Sequence, residues 1–426
     1  MSDTTSTTGQ ATIRRVMRGV ELVEIIRQPV TLDDLKERTF LTNYIDYTLA
    51  LEPPEIFHIW SAYSIIAGAL GRNISRYRGR WDTYPNLYVG IVSPSADTGK
   101  STATSAASRL FSDTFTGDER YVVRGKCRPE RLFADMGRLS KQTGESVVWM
   151  DADEMTSFFP KDIVKNSSYL DDLTQLYGCP TTFDNKFKHV DDDEIQKVCI
   201  NILTTTTPET LQGCVGSDMK LGFIGRFAFC YDTQKRHCCP HPEDFMGREL
   251  SGMYVEAMRD QLRAIAAKRG EATYGPGAKQ AYSDWYVKKG ERLQYPAHMD
   301  GTGLLGRIGE LVIKLAMISA ADERPYEPGL LITKDNIEQA VRLAERSFHD
   351  ACKIFAGVGR DRRVDNVRMA EVSVRQAGKD GISAMDLSRL MGEYVVYSEW
   401  EQIIKTLIKS GRVDCRGDRL YIAGQL

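Results

Sequence analysis

The sequence predicts an α/β fold: a mostly parallel sheet with helical regions on either side of it in the chain, closed by a small separate C-terminal domain. Three observations carry this. Five short apolar runs, "LYVGIVS", "RYVVRG", "SVVWMDA", "VCINILTTT" and "RFAFCYD", alternate with helical stretches between residues 86 and 235, the order that lays helices over a parallel sheet. The first run leads through a short polar loop into "GKSTATSAASRLF", a strand, loop and helix in succession. The end of the chain holds three short helical patterns and then "RVDCRGDRLYIA", two strand-like runs about a turn.

Composition bounds the function. The 426 residues are 42% hydrophobic with a formal net charge of −2, as in a globular protein of two or three domains. That charge excludes a global basic field, so any polyanion must meet a local patch. The nine cysteines include no C-x-x-C pair and follow no secretory signal, which points to reduced thiols and a cytoplasmic location. "HCCPH" at 237–241 has no second ligand pair at finger spacing and reads as a loop. The most apolar run, "IFHIWSAYSIIAGALG" at 56–71, is too short for a bilayer and carries His58. A buried helix and no membrane partner are expected.

Taken in order, residues 1–35 open on the polar "MSDTTSTTGQ" and read as a loosely ordered arm. Residues 36–85 carry apolar residues at helical spacing. The α/β core spans 86–235. Residues 236–356 form a helical linker and lid, ending in "GLLGRIGELVIKLAMISAA" and "TKDNIEQAVRLAERSFHDACKIF". In 363–426, "VDNVRMAEVSVRQAG", "SAMDLSRLM" and "SEWEQIIKTLIKSG" precede the hairpin about Arg416-Gly417-Asp418. Three helices and a hairpin make the winged-helix pattern.

The chemistry starts at "SPSADTGKST". A phosphate-binding loop reads G-x-x-x-x-G-K-[ST]. Here Gly99, Lys100 and Ser101 match its end and Pro94 replaces its first glycine. Pro94 removes one backbone donor, at the outer end of the loop. In this reading Ser95, Ala96, Asp97, Thr98, Gly99, Lys100, Ser101 and Thr102 wrap the phosphates of ATP. Lys100 reaches the β and γ phosphates, and the Ser101 hydroxyl binds Mg²⁺. Downstream, "VVWMDADEM" is an apolar strand ending in acids. Glu154 is assigned as the base for water, and Asp153 or Asp151 as the metal partner; spacing leaves that choice open. "CINILTTTTPETL" ends in hydroxyls, where Thr206 or Thr207 can position the water, and Thr207 before Pro208 also suits a helix N-cap. Arg226 is the one positive charge in "LGFIGRFAFCYD", placed either to reach a neighbouring subunit's γ-phosphate or to form a structural ion pair.

These elements, in this order, resemble the AAA+ ATPases of the helicase kind, namely the minichromosome maintenance and superfamily 3 helicases. "WSAYSIIAGALGRNISRYRGRWDTYPNLYVGIVSPSADTGKSTA" is similar to phage and plasmid proteins of the primase-helicase sort, in which a "YPNLYV" strand also enters a degenerate loop. The resemblance covers about 40–426. It implies an AAA+ αβα core, a lid helix whose second sensing arginine is Arg307, and a C-terminal winged helix. It also implies a homo-hexameric ring with DNA in its pore. Between the second and third elements, "TTFDNKFKHVDDDEIQKV" corresponds to a hairpin that projects into the pore, so Lys186, Phe187, Lys188 and His189 are expected to grip single-stranded DNA. Lys405, Lys409, Arg412, Arg416 and Arg419 give the winged helix either a duplex-binding surface or a solvated face for protein contacts.

The expected function is therefore a DNA-dependent ATPase and helicase of a phage or mobile element, using ATP and Mg²⁺. Two alternatives stand beside it: a loader or regulator that uses ATP as a switch, and a DNA-binding scaffold whose loop has decayed at Pro94.

Overall fold

The computed structural model describes residues 30–94, 98–115, 120–125, 127–152, 154–155, 168–184, 194–217, 221–293, 303–355, 370–371, 373–375, 377–378, 381–391, 397–417 and 419–423, and the backbone of 12–18 and 21–27. Contacts divide the chain into two units, Met1–Ala356 and Gly357–Leu426.

All five apolar runs are strands: β1 (Tyr88–Val92), β2 (Tyr121–Arg124), β3 (Ser146–Ala152), β4 (Val198–Thr206) and β5 (Phe227–Tyr231). They form one wholly parallel sheet in the order β5-β1-β4-β3-β2. Every residue of β1, β3 and β4 is buried, so both faces of the sheet are covered. That is why these strands read as continuous apolar runs rather than alternating ones.

The helices of the first unit that matter for the site are α1 (Glu55–Leu70), α2 (Lys100–Thr114), α3 (Pro129–Thr143), α4 (Ser168–Leu176), α5 (Pro208–Ser217), α6 (Arg248–Ala267), α7 (Ala278–Arg292), α8 (Leu304–Glu323) and α9 (Lys334–Ile354). The connection from β1 through α2 runs toward the β2 edge, and the later connections run back toward β5. Right-handed crossovers then put α2 on one face and α3, α4 and α5 on the other.

The expected buried helix at 56–71 is α1, and thirteen of its sixteen residues are buried. It lies against α2 and the sheet on one side and against α6 and α8 on the other. Trp149 of β3 donates its indole N–H to the Ser64 hydroxyl at 3.1 Å. Gly68 provides the clearance, since a Cβ there would sit 2.8 Å from Trp149 and 2.9 Å from Phe111. The two helical patterns that close 236–356 are α8 and α9, the latter opened by a reciprocal cap between Thr333 and Asn336.

Three regions differ from expectation. The arm at 1–35 contains an antiparallel ladder, Thr12–Arg18 with Glu21–Arg27, where β-branched residues recur through both segments. The same stretch ends in a short helix, Leu32–Glu37, capped by Thr31. The region 36–85 is helical only to Leu70, and Ile74–Tyr77 and Asp82–Thr83 then form a hairpin. That hairpin joins Gly270–Tyr274 and Leu330–Ile332 in a second, four-stranded sheet. The C-terminal unit has helices Ala384–Met391 and Tyr397–Lys409 and a core of Val374, Leu387, Ile403, Leu407, Val413 and Leu420. Its expected hairpin, Val413–Arg416 with Arg419–Ile422, gains a third strand, Ile382–Ser383. Among the described residues no helix is long and apolar enough to cross a membrane.

Candidate functional site

In an open α/β sheet, ligands sit beyond the carboxyl ends of neighbouring strands whose connections leave in opposite directions. Here those strands are β1 and β4, because α2 leads one way and α5 the other. Their ends are tied by the Ser93 N–H donating to the Thr206 carbonyl at 3.3 Å. The loop that follows β1 is drawn closed by the Thr98 hydroxyl donating to the Ser93 hydroxyl at 2.7 Å. Gly99 then opens α2 in the left-handed region at φ 73°. Glycine answers two demands there, since a Cβ would also lie 3.0 Å from the Pro53 ring. No side chain caps the start of α2, the situation in which a helix N-terminus offers its amides and dipole to an anion.

Lys100 is half-buried and donates to the Ser93 carbonyl at 2.7 Å. Burial pulls its ammonium below the ordinary lysine range, and the carboxylates of Glu209 and Glu154 act in the opposite direction. Ser101 and Thr102 are exposed on the first turn. They line a cavity of about 560 Å³ whose apolar walls include Tyr47, Leu51, Met246 and Val255. Ser95, Ala96 and Asp97 lie outside the described residues.

The acids come from the end of β3. Asp151 is buried on the sheet face that α2 covers, and its main-chain carbonyl accepts from Gly125 N–H at 2.8 Å. Its side chain opens onto a second cavity, of about 400 Å³, shared with Arg109 and Arg124. Glu154 is exposed just past the strand, and Asp153 lies outside the described residues. At the end of β4, the Thr207 hydroxyl accepts from Thr210 N–H at 3.2 Å and meets the Thr210 hydroxyl at 3.0 Å. The helix-cap role of Thr207 is thus present. Glu209, in the first turn of α5 and acting electrostatically on Lys100, is a residue that no sequence motif marks. Its one signal was a carboxylate two residues beyond the threonine run.

Arg226 and Arg307 are elsewhere. Arg226 immediately precedes β5, whose first residue, Phe227, is in register with Tyr88 at the start of β1. It therefore sits at the amino end of the sheet, one strand length, roughly 16 Å, from the loop that follows β1. Arg307, on the first turn of α8, lines the same small cavity as Arg226, with Tyr177 and Phe348. Burial first, and then the Arg307 guanidinium, draw Arg226 below the usual arginine value. Arg226 also donates to the Gly222 carbonyl and lies 5.9 Å from the Tyr177 ring. The structure thus brings the two arginines together and keeps both away from Lys100 of the same chain.

Lys186, Phe187, Lys188 and His189 lie outside the described residues. The base of their hairpin is described: Thr182–Asp184 pairs antiparallel with Glu194–Gln196, just before β4 and so also at the amino end of the sheet. No protein-family model matches this chain, and no curated protein sequence matches it.

Proposed function

We propose that this protein is a ring-forming AAA+ ATPase that hydrolyses ATP between subunits and moves along DNA as a helicase. The observation that carries the reading is Lys100, half-buried at the start of α2 and within the electrostatic reach of Glu209 and Glu154, at the topological switch point of a parallel sheet. A lysine there exchanges a neutral carbonyl for a phosphate oxygen, a stronger acceptor. The α2 N-terminus adds its dipole to the same phosphates.

In this mechanism Glu154, exposed past β3, takes the proton from the attacking water. The Ser101 hydroxyl and the Asp151 or Asp153 carboxylate are hard oxygen donors of the kind Mg²⁺ requires. When bound, the ion neutralises charge that builds on the phosphates. The base and ribose fit the cavity bounded by Tyr47, Leu51 and Val255, which opens beside Thr102. Arg226 and Arg307, at the amino end of the sheet, act on the nucleotide of the next subunit, which makes the assembly head-to-tail. The C-terminal unit, with its helices and three-stranded sheet, is read as a winged helix.

Strand displacement on a forked DNA duplex with ATP and Mg²⁺ tests the proposal, with Lys100→Ala alongside. Displacement that the variant loses supports a helicase. DNA-stimulated hydrolysis without displacement replaces it with a loader or switch. Neither activity in the unaltered protein rejects it.

A further inference from the structure

The hairpin Ile74–Tyr77 and Asp82–Thr83 lies at the edge of the four-stranded sheet, outside every site assigned above. Its turn, Arg78-Gly79-Arg80-Trp81, is closed by the Arg78 N–H donating to the Trp81 carbonyl at 2.9 Å, with Gly79 at φ +89°. The turn displays what a protein ordinarily buries. Trp81 is 59% and Tyr77 53% exposed, although large aromatic rings gain most from leaving water. Arg80 is exposed, and among the described residues no carboxylate pairs with it.

The surface continues behind the turn. Arg76, paired with Glu271, lies 4.4 Å over the Tyr274 ring. Arg78 donates to the Tyr282 hydroxyl at 3.3 Å. Tyr282 in turn packs on Tyr286, which is 42% exposed and carries the Lys289 ammonium 3.3 Å over its ring. Cations alternate with rings throughout, the combination of stacking faces and backbone-neutralising charge on which single strands lie. The outer strand, only two residues long, offers too short an edge for strand addition.

We propose that this hairpin is a contact for single-stranded nucleic acid, with bases stacked on Trp81 and Tyr77 and phosphates held by Arg80 and Arg78. The inference rests on the proposal that the protein works on DNA, and not on its ATPase site. Position favours it as well. Arg72, at the foot of this hairpin, donates to the carbonyls of Cys179, Pro180 and Val198 at 2.5, 2.6 and 3.2 Å and to the Thr181 hydroxyl at 3.2 Å. Those are the residues at the foot of the 182–196 hairpin. One guanidinium therefore anchors two hairpins at the same end of the sheet.

The test uses the full chain without nucleotide and a fluorescein-labelled oligothymidylate of about 30 nucleotides, long enough for several such contacts. Arg80→Ala/Trp81→Ala is expected to weaken binding between about fivefold and a hundredfold, the range for losing one stacked base, with DNA-free ATP hydrolysis and sedimentation unchanged. Binding is expected to quench tryptophan emission, and Trp81→Phe to keep the affinity while losing most of the quench. Unchanged affinity in the double variant overturns the inference. So does lost self-association with normal affinity per subunit, which would make the hairpin a contact for a second copy. If affinity falls only in Lys186→Ala/Lys188→Ala, the hairpin proposal fails and the DNA proposal stands. If the unaltered protein hydrolyses no ATP yet binds through Trp81, the ATPase proposal fails and this one stands.

Discussion

The Lys100 ammonium donates to the Ser93 carbonyl at 2.7 Å, so the first side chain of α2 folds back across the mouth of the loop before it. Replacing it removes one donor to the carbonyl of the buried Ser93 and takes away the ammonium that faces the crevice. Lys100→Ala is expected to lower ATP turnover at least about a hundredfold, as for loss of one transition-state donor. Its thermal midpoint should stay within a few degrees of the parent. Steady-state phosphate release and a melting curve on the same preparation check both parts.

Because Arg226 and Arg307 stand a strand's length from the loop of their own chain, a subunit lacking Arg226 keeps an intact loop, and one lacking Lys100 keeps an intact arginine pair. Arg226→Ala and Lys100→Ala are each expected to be inactive. An equimolar mixture should regain activity at about a quarter of its interfaces, if subunits exchange at random in a head-to-tail assembly. No recovery after co-refolding would place Arg226 in a structural role.

Gly68 faces Trp149 and Phe111 at distances no Cβ tolerates. Gly68→Ala is expected to destabilise the first unit by about 1–3 kcal/mol through overpacking, despite the better helix propensity of alanine. Urea unfolding followed by tryptophan emission reads this, and an unchanged midpoint would show that α1 can shift off the sheet.

Asp322 of α8 is buried and accepts from the Leu41 N–H at 2.8 Å. Burial raises its pKa to about 7, against the bonds from Leu41, Phe40 and Thr39 that lower it. The folded state therefore holds the proton more tightly than the unfolded chain. This contribution to stability is complete below about pH 4 and is lost as pH rises toward 7. Asp322→Asn keeps an oxygen for Leu41 and carries no charge. Between pH 5 and 8 the variant should lose less stability than the parent, in paired denaturant titrations.

The parallel sheet was legible because strands buried on both faces, such as "SVVWMDA" and "VCINILTTT", stand out from the helices between them. Helices α8 and α9 were legible from their apolar periodicity, and α1 from a run too short for a membrane. The second sheet was not. Its strands are two to five residues long and partly polar, and they pair across spans such as Ser75 to Glu271 that no local pattern reports. Within the site, Lys100 and Ser101 follow from their motif. Glu209 has no motif, and the meeting of Arg226 with Arg307 depends on how α8 packs against the start of β5, which spacing cannot reveal.

The burial of α1 on all sides has a consequence for synthesis. The helix precedes nearly everything that covers it. When Glu55–Leu70 leaves the ribosome, neither the strands ending at Tyr231 nor α8 has been made. For most of translation the most apolar helix of the chain has no surface to occupy, and its rings are available to other nascent chains. Efficient production of this protein should therefore depend on holding that segment apart until the chain has passed Glu323. Truncations ending before α8 should accumulate as aggregates, and chains extending through α9 should be recovered in solution.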